Sequence, residues 1–248
     1  MTYNEFAYVY DRFMEHAPYD MWVQLTKDII ETHQLETKNI VDLGCGTGEI
    51  AIRLANSGFH ITGVDVSSDM LTVAQSKAMQ QGVHIPWIHQ DMTNLEGFSN
   101  TDLFISYCDV MNYITNIDDV TAVCQRVYEN LQEDGAFIFD IHAIPYVENM
   151  LVNQTFADVT DELAYIWFCE SGEEIGAMTH YLTFFEKQVD GTYHRFEEIH
   201  EEKTYNIETY ANILNNIGFR KIKFYTDFSM QNEISTDKGE RIFIFAQK

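Results

Sequence analysis

The segment Val41-Asp42-Leu43-Gly44-Cys45-Gly46-Thr47-Gly48-Glu49 leads from an apolar stretch through three glycines into helix-like sequence. Glycines at such a turn let the backbone bend sharply and approach a ligand closely, with the amides of a helix N-terminus nearby. A nucleotide is the natural guest. The dinucleotide fingerprint GxGxxG is not met, because Glu49 stands where its third glycine would be. A phosphate loop lacks its Lys and Ser/Thr after the last glycine. Asp42, just ahead of the turn, is a poor neighbour for a pyrophosphate and a good one for an ammonium group. Asp65 follows 23 positions later, where a carboxylate can accept hydrogen bonds from both ribose hydroxyls. Gln90-Asp91-Met92 then offers an acid followed by an apolar side chain, suited to the amino group and ring of adenine.

These residues need elements that bring them to one edge. Apolar runs at 40–43, 60–64, 84–88, 102–107 and 136–141 read as strands. Helices at 50–56, from Ser68 with Ser67 or Ser68 as cap, and at 118–131 alternate with them. That rhythm implies a parallel sheet covered on both faces, an α/β fold. Ligands of open α/β sheets bind beyond the carboxyl ends of the strands, where all three acids are expected. Pro18 at the first helical position opens a helix reaching about His33, preceded by an aromatic run containing Tyr3, Phe6, Tyr8, Tyr10 and Phe13.

After Pro145 the pattern changes. Residues 156–170, 177–189 and 192–205 are rich in aromatic and β-branched side chains, and Asp190-Gly191 signals a hairpin. The expected organisation is a core of 1–145 and 206–248, with 1–35 a helical cover, interrupted by an antiparallel β insertion at 146–205. From Ile207 a helix runs to a cap at Gly218, and strands at 221–225 and 241–246 pair antiparallel at one edge of the sheet.

Fifteen Lys and Arg against 39 Asp and Glu give a formal charge of −24 over 248 residues. Such a chain repels phosphate backbones, so nucleic acid and anionic membrane surfaces are excluded as partners. With 46% hydrophobic and 14% aromatic residues it is nevertheless a packed globular chain rather than a disordered acidic one. Cys45, Cys108, Cys124 and Cys169 form no CxxC pair, which predicts reduced thiols and no metal site. The first twelve residues lack the basic start and apolar stretch of a secretory signal, and no apolar run approaches the ~20 residues of a membrane helix. A soluble, cytoplasmic protein is expected.

The ordered motifs Val41–Gly48, Gly63-Val-Asp-Val-Ser-Ser-Asp-Met-Leu71, His89-Gln-Asp-Met92 and Leu131-Gln-Glu-Asp-Gly-Ala-Phe-Ile-Phe139 resemble those of Rossmann-like S-adenosylmethionine-dependent methyltransferases. The resemblance implies a seven-stranded mixed sheet in the order 3-2-1-4-5-7-6, with strand seven antiparallel. It implies S-adenosylmethionine as cofactor, held by the turn glycines Gly44, Gly46 and Gly48. Asp42 and Gly44 would lie near the methionine amino group, Asp65 would bind ribose, Val66 and Met70 would flank adenine, and Asp91 with Met92 would read its edge. The backbone at Cys108 would help hold the methionine end. More narrowly, Phe6-Ala-Tyr-Val-Tyr-Asp-Arg-Phe-Met14 and the β insertion are similar to those of small-molecule methyltransferases, including sugar-amine N,N-dimethyltransferases and uncharacterised bacterial relatives. In that family layout Tyr10 is the aromatic lid residue and the inserted strands build the acceptor pocket.

Methyl transfer is an in-line displacement that needs alignment above all, and a base only when the acceptor must lose a proton. His142, in Asp140-Ile-His142 at the ligand edge, is the first candidate base, followed by Tyr113 and by His180 or His200 on the insertion. Tyr107-Cys-Asp-Val-Met-Asn-Tyr113 contains no proline, unlike the Asn/Asp-Pro-Pro-aromatic run of enzymes that methylate nucleic-acid bases or protein glutamine. The favoured expectation is therefore transfer to a small neutral or cationic molecule at N or O. Alternatives are methylation of a protein partner, a binding module without activity, and a nicotinamide-dependent oxidoreductase, which Glu49 disfavours. Glu197, Glu198, Glu201 and Glu202 read as a solvated face. A homodimer is one candidate assembly. Because ribose contacts are not core packing, Asp65→Ala is expected to weaken cofactor binding with little change in melting temperature.

Overall fold

The computed structural model describes residues 6–234 and 237–248; Tyr3 of the aromatic run lies outside the described residues. Its elements are α1 (Phe6–Phe13), α2 (Tyr19–Thr32), β1 (Asn39–Leu43), α3 (Glu49–Asn56), β2 (His60–Asp65), α4 (Ser68–Gln80), β3 (Trp87–His89), β4 (Thr101–Ser106), α5 (Ile117–Asn130) and β5 (Leu131–His142). There follow the short α6 (Ile144–Tyr146), β6 (Gln154–Val159), β7 (Leu163–Ser171), β8 (Ala177–Lys187), β9 (Tyr193–Lys203), α7 (Ile207–Ile217), β10 (Arg220–Thr226), β11 (Ser229–Glu233) and β12 (Arg241–Gln247).

The main sheet has the order β11-β10-β12-β5-β4-β1-β2-β3. Strands β1 to β5 are parallel, and β12 runs antiparallel between β5 and β10. Strands β3-β2-β1-β4-β5-β12-β10 reproduce the expected order of seven. The eighth, β11, carries Ser-Met-Gln-Asn-Glu, without the apolar alternation that marks a strand, and pairs with β10 so that the outer edge is β11. The third strand is shorter than expected because Pro86 has no N–H to give the ladder; its carbonyl instead accepts from the Gly63 amide at 2.9 Å.

Burial on both faces explains the near-continuous apolar runs of the central strands. One face carries Phe104, Phe137, Phe139 and Ile141 against α5 and α7, the other Ile40, Leu103, Ile138 and Phe243 against α2 and α3. Helix starts follow their caps: Ser67 accepts from the Met70 amide at 3.3 Å, and Asn206 from that of Thr209 at 2.8 Å. Pro18 sits at the N-cap of α2 rather than inside its first turn. Gly218 ends α7 with φ of 120°.

The insertion is a separate antiparallel sheet, β6-β7-β8-β9. The single run expected at 156–170 is two strands, because Thr160 turns the chain: its amide donates to the Leu163 carbonyl and its hydroxyl oxygen accepts from the Leu163 amide. The sheet's inner face holds α1: Phe6 packs at a tilt on Phe184, ring centres 5.5 Å apart, and Phe13 meets Tyr165 edge to face at 4.9 Å. The opposite side of α1 is pinned to the core by Asp11, which accepts from Thr47 at 2.6 Å and pairs with Lys77 at 2.8 Å. No described helix is long and apolar enough to cross a membrane.

Candidate active site

The glycine turn between β1 and α3 is shaped by two close approaches. Gly44 has φ of 71°, and a Cβ there would lie 2.3 Å from a Val110 methyl. Gly48, with φ of 78°, lets the α3 N-terminus sit where a Cβ would meet the Trp87 indole at 2.6 Å. The Gly44 and Cys45 amides both donate to the Val64 carbonyl, at 2.8 and 3.0 Å, tying the turn to the end of β2. Asp65 completes the tie, its carboxylate accepting from the Gly46 amide at 2.7 Å and the Ser67 amide at 2.8 Å. Sequence spacing suggested a ribose ligand at this position and did not show that the same side chain organises the turn.

A cavity of about 550 Å³ opens beyond these strand ends. Tyr10, Asp42, Gly44, Gly46, Asp65 and Val66 lie on its wall, as do Met70, Asp91, Met92, Cys108 and Tyr113. Gly48 is not on that wall; it packs against the Trp87 indole. Phe6 and Tyr10 of α1 roof the cavity, with Tyr19 and Tyr107 on its wall. No described residue between 146 and 205 reaches the wall; the insertion bears on the cavity through α1 and through Tyr113, whose hydroxyl meets β9.

Burial sets the electrostatics. Asp42 is only 3% exposed, and burial, reinforced by the charge of Asp65, pushes its carboxyl up to about 7. Asp65 is raised by burial against the pull of the amides it accepts from. Burial also pushes the Tyr10 hydroxyl and the Cys108 thiol well up.

His142 lies one layer behind the wall, with Nε2 3.2 Å from Asp109 Oδ2. Burial alone would lower its pKa; the Asp109 carboxylate outweighs this and raises it. The Tyr113 hydroxyl is 3.4 Å from His200 Nδ1. Burial pushes both His200 and His180 down to about 4, with His142 and His200 adding to the effect on His180. His180 Nδ1 accepts from the Trp167 indole at 2.8 Å, which puts its proton on Nε2, 3.5 Å from Glu202 Oε1.

Glu202 corrects the reading of the acidic run on β9. Glu197 and Glu201 are exposed, but Glu202 is 6% exposed, takes a hydrogen bond from Tyr113 and is pushed up to about 8 by burial and then by Asp109. The available signal was period-two alternation from Phe196 through His200 to Glu202, which places all three on one face. The cluster of half-buried Asp109 with buried Asp140 and Arg241 had no local signal of this kind.

Residues 40–135 match the family model of a methyltransferase domain. A methyltransferase-family protein of Geobacillus sp. strain WCH70 is 40% identical over 249 residues, spanning 100% of both chains. The crystal structure of an S-adenosylmethionine-dependent methyltransferase from Clostridium acetobutylicum ATCC 824 superposes with a TM-score of 0.87 at 29% identity, over 100% of this chain and 99% of that one. The chain belongs to the S-adenosylmethionine-dependent methyltransferases. The chemistry of its residues fits that cofactor: the methyltransferase cavity has on its wall the buried carboxyl of Asp42, a group that can pair with an ammonium, beside the side-chain-free backbone of Gly44 and Gly46. An S-adenosylmethionine-bound amino pentose methyltransferase from Micromonospora echinaspora shares the fold of this methyltransferase, with a TM-score of 0.77 at 14% identity over 97% of this chain and 95% of that one.

Proposed function

We propose that this methyltransferase transfers a methyl group to the nitrogen or oxygen of a small molecule. The observation that carries the reading is the cavity itself: about 550 Å³, walled by Tyr10, Tyr19, Tyr107 and Tyr113 and roofed by α1. A volume of that order suits compact ligands, and the formal charge of −24 opposes polyanionic acceptors.

S-adenosylmethionine supplies, when bound, a methyl carbon activated by the positive sulfur. Asp42 holds the ammonium end and Asp65 the ribose, while Val66, Met70, Asp91 and Met92 receive the adenine. The Gly44 and Gly46 backbone and the Cys108 turn complete the methionine end. Tyr10 excludes water from above. Tyr113 is the candidate that can touch the acceptor: its hydroxyl donates to Glu202 and accepts the acceptor N–H or O–H, which turns the nitrogen or oxygen lone pair toward the reacting carbon. His142, behind the wall, supports this through Asp109 and the polar layer around Glu202.

Titration calorimetry with S-adenosylmethionine, followed by incubation of the labelled cofactor with fractionated cell extract, tests the proposal. Micromolar binding and label in the low-mass fraction are expected. A folded protein that binds no S-adenosylmethionine, or label confined to protein or nucleic acid, overturns it.

A further inference from the structure

Directly after β4, two consecutive non-glycine residues take left-handed backbone: Cys108 with φ of 59° and Asp109 with φ of 66°. Such residues are uncommon singly, and a pair persists only where the surroundings over-determine it. This pair stands at the cavity, with Cys108 on its wall.

The groups that hold it converge from three elements, α2, β5 and β12. Asp140, near the end of β5 and fully buried, accepts the Cys108 N–H on Oδ2 at 3.3 Å and the Asp109 N–H on Oδ1 at 3.0 Å. Trp22 on α2 donates its indole N–H to the same Oδ2 at 2.6 Å. Arg241, at the start of β12, sits 3.1 Å from Asp140 Oδ2, pairs with the Asp109 carboxylate and lies over the Trp22 ring at 5.1 Å. His142 closes the set from the other side of Asp109. A carboxylate that binds two successive amides fixes their direction, and the guanidinium offsets the buried negative charge.

What the bracket fixes extends beyond two residues. The Asp109 carbonyl accepts from the Asn112 amide at 2.7 Å, starting the 3-10 turn Val110–Tyr113. That turn presses Val110 into the space beside Gly44 and sets Tyr113 on the cavity wall. Asn112 continues the brace, accepting from the His142 amide at 3.1 Å and donating to the Lys203 carbonyl at 3.2 Å. Displacing the turn would move Cys108, Val110 and Tyr113 together while leaving Asp65, Met70 and Asp91 in place.

We infer that Asp140 and Arg241 are positioning residues that hold the 108–113 turn against the methionine end of the cavity, and so set affinity for the amino-acid part of the cofactor without touching it. The inference rests on the cofactor orientation proposed above, and its test separates the two. Calorimetry on the full chain compares S-adenosylhomocysteine with 5′-deoxy-5′-methylthioadenosine, which keeps the adenosine and lacks the amino-acid portion. Asp140→Asn should weaken S-adenosylhomocysteine roughly tenfold or more and leave methylthioadenosine within about twofold. Arg241→Lys should lose less than Arg241→Gln in the same sense. Trp22→Phe, which keeps a ring beneath Arg241 and removes one donor to Asp140, gives a milder perturbation should the charge variants fold poorly. A general loss of structure would weaken both ligands alike. Equal losses, or none in Trp22→Phe and whichever charge variants fold, overturn the inference. Failure of the wild-type chain to bind either ligand overturns the cofactor reading instead.

Discussion

Asp65 and Asp140 are both buried carboxylates that each accept two backbone amides at the ligand edge of the sheet, yet they are wired at different ranges. The partners of Asp65 are Gly46 and Ser67, 19 and 2 residues away. Those of Asp140 are Cys108 and Asp109, 32 and 31 residues away, and Trp22 at 118. Asp65 also works without a buried cation, whereas Asp140 is matched by Arg241. On the cofactor orientation proposed above, the adenosine end of the cavity and the Asp42 side of the methionine end are built by short-range strand-turn-helix chemistry, whereas the Cys108 and Tyr113 side depends on contacts that exist only once α2, β5, β12 and the insertion have docked.

The contrast is sharpest in how each end should respond to pH. Glu202 belongs to the long-range end, facing Tyr113, His180, His142, Asp109 and Arg241. Its folded pKa, pushed from 4.5 up to about 8, lies above its unfolded one. The stability it contributes is therefore fully present below about pH 4.5 and lost as pH rises through about 8. Glu202→Gln removes that loss, so the variant should match the wild type near pH 4.5 and exceed it at pH 9, by at most about 5 kcal/mol. Urea unfolding at the two pH values measures this. An unchanged pH slope in the variant would assign the titration to another group. Glu201→Gln, one residue away and exposed, should stay within about 0.5 kcal/mol at both.

Gly44 is where the two ends touch, so Gly44→Ala tests whether they are mechanically joined. The new methyl would fall 2.3 Å from Val110 at a φ of 71°, and a loss of about 3 kcal/mol is expected from overpacking plus backbone strain. Val110→Ala should recover part of it in a double-mutant cycle read by denaturant unfolding. A purely additive pair would show that the turns move independently.

The same division governs what the sequence reveals. The parallel core is legible because buried strands carry unbroken apolar runs and the glycine turn is a local instruction, as are the caps at Ser67 and Gly218. Strand β11 is not, since Ser229 to Glu233 pair by edge geometry rather than by an apolar face. At the site, Asp42, Asp65 and Asp91 announce themselves by following strands in order. Asp109 and Arg241 stand 132 residues apart, and nothing near either predicts the pairing. His142 was legible as a polar residue at a strand end, but its place behind the wall depends on Asp109, Asn112 and Thr204, which only the assembled fold brings together.

Asp65→Ala bears on the short-range end, where the structure changes the expected outcome. A side chain that only met ribose could be removed with the melting temperature intact. Asp65 instead binds the Gly46 and Ser67 amides, so its loss should cost about 2 kcal/mol of folding stability in addition to cofactor affinity. Thermal unfolding beside calorimetry separates the two, and an unchanged melting temperature would mean that the turn holds its shape without the carboxylate.

The smallest expected effect belongs to Asp42, and it shows how a short-range residue can still feel the whole fold. Burial, then the charge of Asp65, brings its carboxyl to about 7, so near pH 6 most of the free protein carries it protonated. An ammonium group prefers the ionised form, and binding must first remove that proton. Affinity for S-adenosylhomocysteine should then rise with pH by up to about tenfold per unit below 7 and level off above it, a slope of at most about 1.4 kcal/mol per unit. Asp42→Asn cannot ionise, so its affinity should be flat across this range, close to wild type near pH 5.5 and weaker at pH 8.5. A wild-type affinity independent of pH would place the ammonium group away from Asp42 and shift the methionine end toward the Cys108 turn, making the long-range bracket its principal support.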